Sequence, residues 1–177
     1  MLWTRVGYAG GAMDSPTYDD IGDHSEAIEV GYDPARISYE RLLAEFWYGH
    51  RPAETAWSQQ YRSAIFVHSE AERHAAERSI AVTEAKLGRP VHTAVEDASR
   101  FWQAEDYHQK YRLQRESWAW RELRAAYPDM RDLVRSTAAA RLNAWVSDHG
   151  EVAQLERELP LVGLSPAAQK QLRRQRR

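Results

Sequence analysis

Four stretches of the chain carry side chains able to hold and protonate a polar oxygen. They are "SPTYDD" around Tyr18, "DHSE" ending at Glu26, "QQYRSAI" around Tyr61 and "AEDYHQKY" ending at Tyr111. A carboxylate at the start of a strand, with tyrosine hydroxyls near it, can bind such an oxygen and hand it a proton. Burial raises a glutamate's pKa and keeps it protonated near neutral pH, so the expectation is a buried Glu26. An ordinary alternative stands beside this one: Tyr61 and Tyr111 as core aromatics with satisfied hydroxyls, and Glu26 as an exposed residue at a strand edge. The loop between Arg5 and Val30 contains Gly7, Gly10 and Gly11, which permit positive φ and close backbone approach to a ligand. Loops of that composition are also plain connections.

Other chemistries find less support. His24, His50 and His108 with Glu26 are the set that could surround a metal, but they lack the close helical pairing of known motifs, and no metal is expected. There is no Gly-x-Ser-x-Gly, phosphate loop or dinucleotide fingerprint, and no cofactor is expected. The 177 residues include no cysteine, which removes disulfides, thiolate metal sites and thiol nucleophiles from this chain. With 24 basic and 26 acidic side chains the net charge is −2, so no global field draws nucleic acid or an anionic membrane. The basic end "KQLRRQRR" reads as a solvated helix terminus. No apolar run approaches the roughly 18 residues that span a bilayer, and no signal peptide is evident. The expected compartment is the cytoplasm.

The elements that must position these residues follow from patterning. Leu2 to Val6 reads as a strand, and Glu26 to Tyr32 as a second one, broken by Asp33-Pro34. Ser38 opens a helix whose Leu42, Leu43, Phe46 and His50 share one face, ended by Pro52. Tyr61 to Val67 is the strongest strand, rich in β-branched and aromatic residues. Ser69 and Glu72 form a capping box for a helix to Leu87, stopped by Gly88, and Val91 to Val95 reads as a further strand. From Arg112 onward the pattern is helical: one helix around Trp118, Leu123 and Tyr127, another over Leu133 to Val146, and a last one capped by Ser165-Pro166. Interleaved strands and helices followed by helices alone predict an α+β fold, a two-layer sandwich with a mainly helical C-terminal extension.

Taken in order, "VGYAGG", "PTY", "HSEAIEV", "YDPARISYERLLAEFW", "QYRSAIF" and "AEDYHQKY" resemble the A-type peptide methionine sulfoxide reductases. These motifs cover Arg5 to Tyr111, and "GDHSE" and "STAAARLNAW" resemble a subgroup with a helical extension. The resemblance implies a methionine-S-sulfoxide reductase-like domain over residues 1–111 and a helical extension over 112–177. It also implies an oxidoreductase that repairs oxidised methionine, free or in proteins, and that is recycled by thioredoxin or another thiol reductant. In such enzymes a cysteine thiolate attacks the sulfur of methionine-S-sulfoxide and becomes a sulfenic acid. The family's proton-donating glutamate falls on Glu26. Its oxygen-holding tyrosines fall on Tyr18 and Tyr61, and a further active-site tyrosine on Tyr111.

Two departures accompany the resemblance. The family's nucleophile lies in a Gly-Cys-Phe-Trp-Gly motif upstream of "GYAGG", and this chain begins just short of it. The loop "RPAETAWSQ" is shorter than in the best-known members and places Ala56 where many carry an aspartate. The chain as given is therefore expected to be inactive. One account is an N-terminally truncated reading of a working reductase, favoured because Glu26, Tyr18, Tyr61 and Tyr111 are all kept. The alternative is an inactive homologue that binds methionine sulfoxide or a protein partner.

Overall fold

The structure, a computed structural model, describes residues 1–176; Arg177, the last residue of the basic end, lies outside them. The fold is α+β, and it resolves into two compact units. One unit comprises Gly7–Ala27 and Asp33–Ala104; the other comprises Met1–Val6, Ile28–Tyr32 and the chain from Glu105 onward.

Strands β1 (Trp3–Ala9), β2 (Ser25–Gly31) and β5 (Trp102–Gln103) form a sheet in the order β2-β1-β5, with β5 antiparallel to β1 through Gly7↔Gln103 and Tyr8↔Trp102. A Cβ on residue 7 would lie 2.1 Å from the Trp102 carbonyl oxygen, so Gly7 is what lets the two backbones approach. At two residues β5 is too short to show a period in sequence; its pairing with β1 defines it.

In the first unit, β3 (Ser63–Val67), α2 (Glu70–Leu87) and β4 (Thr93–Asp97) form a strand-helix-strand unit with β3 parallel to β4. The register runs from Ser63↔Thr93 to Val67↔Asp97. Both strands start two residues later than patterning predicts. Gln59–Tyr61 is wound into a 3₁₀ turn, and the Val91 N–H is taken by the Glu84 carboxylate at 3.1 Å rather than by a strand. Helix α1 (Tyr39–Tyr48) begins where expected, with the Ser38 hydroxyl accepting the Arg41 N–H at 3.2 Å. For α2 the Ser69 hydroxyl accepts the Glu72 N–H, but the Glu72 carboxylate reaches back one residue further than a capping box does, to the His68 N–H at 2.8 Å. Gly88 stops the helix in the left-handed region, φ +66°. Leu43, Ile65, Val67, Ala75 and Ala76 are the buried core where α1 and α2 meet the strands.

The second unit is built from α3 (Tyr111–Gln114), α4 (Ser117–Ala126), α5 (Met130–Val134), α6 (Thr137–Val146), α7 (Val152–Glu158) and α8 (Pro166–Gln175). Its core includes Leu113, Leu123, Leu133, Leu142, Trp145, Leu155 and Leu172. The single helix expected over Leu133 to Val146 is two helices. Ser136 ends one and caps the next, its hydroxyl donating to Leu133 O at 2.9 Å and accepting the Ala139 N–H at 3.0 Å. Ser165 caps α8 and also gives its N–H to Glu122 at 2.7 Å. Two residues of the basic end form ion pairs within the unit, Arg173 with Glu156 and Arg176 with Asp148.

Chain residues far apart meet in this same unit. The buried Gln109 side chain accepts the Val6 N–H at 3.0 Å and donates to Val6 O at 2.9 Å, acting on β1 as a neighbouring strand does. Lys110 is buried too, at φ +52°, and its ammonium donates to both oxygens of Thr4, the hydroxyl at 2.9 Å. Among the described residues no helix is long and apolar enough to cross a membrane.

Candidate functional site

The loop that carries Tyr18 is shaped by His24 and Asp23. The His24 ring is buried, its Nδ1 accepting the Gly11 N–H at 3.1 Å and its Nε2 donating to Met13 O at 2.7 Å. A Cβ on Gly11 would come within 2.7 Å of that ring, so the close backbone requires glycine there. Asp23 accepts the N–H groups of Ala12 and Met13 at 2.8 and 3.1 Å, and these bonds hold its pKa below the ordinary value. Both His24 nitrogens are thus spent on the loop backbone, and the His50 Nδ1 is spent on Phe46 O at 2.7 Å. Among the described residues no three His, Asp or Glu side chains form a cluster able to hold a metal.

From that loop the chain enters β2 at Ser25, which is tied to the 3₁₀ turn Gln59–Tyr61. The Ser25 hydroxyl donates to Gln59 O at 3.0 Å and accepts from Arg62 Nε at 2.8 Å. Arg62 forks onto both oxygens of Glu96 on β4, one bond measuring 2.7 Å. Each partner shifts the other: Arg62 holds the Glu96 carboxyl below its usual range, and Glu96 raises the guanidinium's pKa. This frame sets Glu26, the next residue of β2, beside Gln60 of the turn.

The result is a polar cluster. Gln60 Nε2 donates to Glu26 Oε1 at 2.7 Å and to the Tyr61 hydroxyl at 3.2 Å. Partial desolvation, then the negative charge of Glu26 and the neighbouring Tyr18, push the Tyr61 phenol above its ordinary pKa. A phenol is already a neutral donor near pH 7, and the shift takes it further from ionisation. Structure brings Glu26, Tyr18 and Tyr61 together. Tyr111 belongs to the other unit, as the first residue of α3, where its hydroxyl accepts from Arg115 at 3.0 Å.

The expectation of a buried acid is not met. Glu26 is exposed, and Tyr18, Tyr61 and Tyr111 keep 45%, 42% and 52% of their surface. Glu26 is the second residue of β2, where the side chain of Ser25 before it is buried and that of Glu26 is exposed, and Gln60 and Tyr61 flank it without covering it. Two members of the cluster were not anticipated from sequence. Gln60 is the amide that joins acid to phenol. Trp57, 82% exposed, sets its ring 4.9 Å from that of Tyr61 at 37°. A tryptophan standing alone in the polar run "AETAWSQQ" was the available signal. A groove of 660 Å³ between α1 and α2, lined by Leu43, Trp47, His50, Ala75 and Val82 among others, contains none of the four candidate residues.

The family model for peptide methionine sulfoxide reductase matches residues 1–139, which takes in every residue of this cluster and Tyr111. The chain belongs to that family. A peptide methionine sulfoxide reductase of Drosophila melanogaster is 36% identical over 169 residues, covering 94% of this chain and 67% of the fly protein. Peptide methionine sulfoxide reductase A5 of Oryza sativa is 38% identical over 154 residues, covering 84% of this chain and 60% of the rice protein. Among solved structures, Mxr1 from Saccharomyces cerevisiae in its reduced form superposes with a TM-score of 0.55 at 30% identity, over 64% of this chain and 71% of that one. Methionine sulfoxide reductase A of Corynebacterium diphtheriae gives 0.54 at 27%, over 65% and 64%. This family member thus spans between 60% and 67% of the length of the fly and rice relatives.

Proposed function

We propose that this chain supplies the oxygen-binding, proton-donating side of a methionine-S-sulfoxide reductase. Tyr18 and Tyr61 hold the sulfoxide oxygen, Glu26 delivers its proton, and Tyr111 serves as a further active-site tyrosine. The observation that carries the reading is the Glu26–Gln60–Tyr61 linkage with Tyr18 beside it. As a thiolate attacks the sulfur, negative charge builds on the departing oxygen, and neutral hydroxyls aimed at it stabilise that charge. Protonated by Glu26, the oxygen passes from the substrate sulfur to the attacking sulfur as the bond between the two sulfurs breaks, which leaves a thioether and a sulfenic acid. No thiol exists among the 177 residues, so the attacking sulfur is supplied from outside them. Thioredoxin-linked recycling, a role in repair of oxidised methionine and a cytoplasmic setting belong to the same proposal and rest on the family.

The second reading is an inactive homologue that binds methionine sulfoxide or a partner; the absence of cysteine and the exposed acid favour it. Joining the family's cysteine-bearing segment ahead of Met1 separates the two. The reductase reading expects turnover from the joined protein and none from the chain alone with dithiothreitol or thioredoxin. It also expects Glu26→Gln to lower the rate by about 10²- to 10⁴-fold, with substrate affinity changing much less. A joined protein that binds the S-sulfoxide without reducing it supports the second reading. A joined Glu26→Gln enzyme running at full rate removes Glu26 from the mechanism.

A further inference from the structure

Trp57 is a large apolar side chain left 82% exposed on a loop anchored at both ends. At the loop's start Pro52 is buried and its carbonyl accepts the His92 N–H at 2.8 Å; at its end Gln59 O accepts the Ser25 hydroxyl at 3.0 Å. The indole therefore stands on a loop anchored on both sides of it. Its ring lies against Tyr61, the phenol that shares the Gln60 amide with Glu26. Its N–H has no hydrogen-bond partner among the described residues; on so exposed a ring it is hydrated, and a ligand carbonyl can take the place of that water. An exposed aromatic ring adjoining a polar cluster has the composition of a recognition anchor.

We infer that Trp57 is a shelf for the polypeptide on either side of the methionine sulfoxide, selecting substrates with an aromatic or bulky apolar neighbour. This rests on the assignment of the sulfoxide oxygen to Tyr61. A methionine side chain is only a few bonds long, so with its oxygen at Tyr61 its backbone lies close to the adjoining ring. Each further residue of an extended peptide adds about 3.3 Å, which brings the flanking side chain over the indole face. The indole N–H faces a peptide carbonyl in that arrangement, and the flanking ring stacks in an offset or edge-on geometry. A free amino acid has no flanking residue to place there.

The test uses the chain as it is, because binding needs no thiol. Blocked tripeptides carry methionine-S-sulfoxide or plain methionine between two glycines or two phenylalanines, and nuclear magnetic resonance titration follows the Trp57 indole N–H signal and the affinity. Phenylalanine flanks should tighten binding about tenfold over glycine flanks, with a shift of the indole signal. Trp57→Ala should bring that ratio below twofold, and Trp57→Phe should keep part of it. A flank ratio unchanged in Trp57→Ala, or no ratio in the native chain, overturns the shelf. The preference for sulfoxide over thioether is read separately and should fall in Tyr61→Phe. If that preference is missing in the native chain while the flank ratio persists, the oxygen site is wrongly assigned and the shelf, as a substrate reader, falls with it.

Discussion

Lys110 offers a measurement in which both sign and size follow from the structure. Its ammonium is buried, its hydrogen bonds go only to the two oxygens of Thr4, and no ion pair to it is present among the described residues. Burial alone lowers its pKa from 10.5 to about 8. At 1.36 kcal/mol per pKa unit, holding the charge in the folded state costs about 3 kcal/mol. The folded state therefore prefers the neutral amine. Below pH 8 both states carry the proton and the penalty is constant. Between pH 8 and 10.5 the unfolded chain binds more protons than the folded one, so stability from this group rises with pH, by about 2.5 kcal/mol at pH 10. Urea unfolding of the native chain and of Lys110→Met, run side by side from pH 6.5 to pH 10, isolates the effect. Both residues occupy the same left-handed backbone, so that strain cancels in the comparison. The difference native minus variant should climb by about 2.5 kcal/mol across the range. A flat difference would falsify the claim that this lysine is buried without a counter-charge.

Three further outcomes follow from particular contacts. Leu142→Ala, at a position with no exposed surface in the helical core, should lose about 2–5 kcal/mol in chemical denaturation. Ser136→Ala removes both the bond that ends α5 and the cap of α6, and should cost about 0.5–2 kcal/mol, read as a fall in melting temperature. Glu96 has a depressed folded pKa because of Arg62, so its contribution is present above the unfolded carboxylate range and lost as pH falls through the folded value. The native chain should accordingly lose stability below about pH 4.5 more steeply than Arg62→Met does, in melts taken from pH 6 to pH 3.

Local signals were legible in the sequence where they act locally. Ser38, Ser69, Ser165 and Gly88 each mark a helix end because a cap needs only its own turn, and each does so here. Ser136 is a cap of the same kind, but it sits inside an apolar run whose periodicity continues across it, so the break was hidden by the pattern on either side. The strand starts at Ser63 and Thr93 are fixed by pairing with each other, which no single stretch contains. The contact between Glu26 and Gln60, 34 positions apart, is made by the fold and is marked by no local spacing. The sequence left a buried and an exposed Glu26 both open, because burial depends on what the rest of the chain lays over a side chain. Gln60 escaped notice since an amide has no chemistry of its own until something charged stands beside it.

The Gln109 side chain that completes β1 has a consequence for synthesis. It satisfies the Val6 N–H and carbonyl from 103 positions downstream. A ribosome adding about 5–20 residues per second needs roughly 5–20 s to travel that distance. Throughout that interval the backbone of Val6 waits as an open strand edge, and the Thr4 oxygens wait for Lys110. An edge of that kind is a template for pairing with another chain. The unit that holds Val6 and Gln109 thus closes late, and a nascent protein stalled before residue 109 should be the form that chaperones retain and that aggregates first.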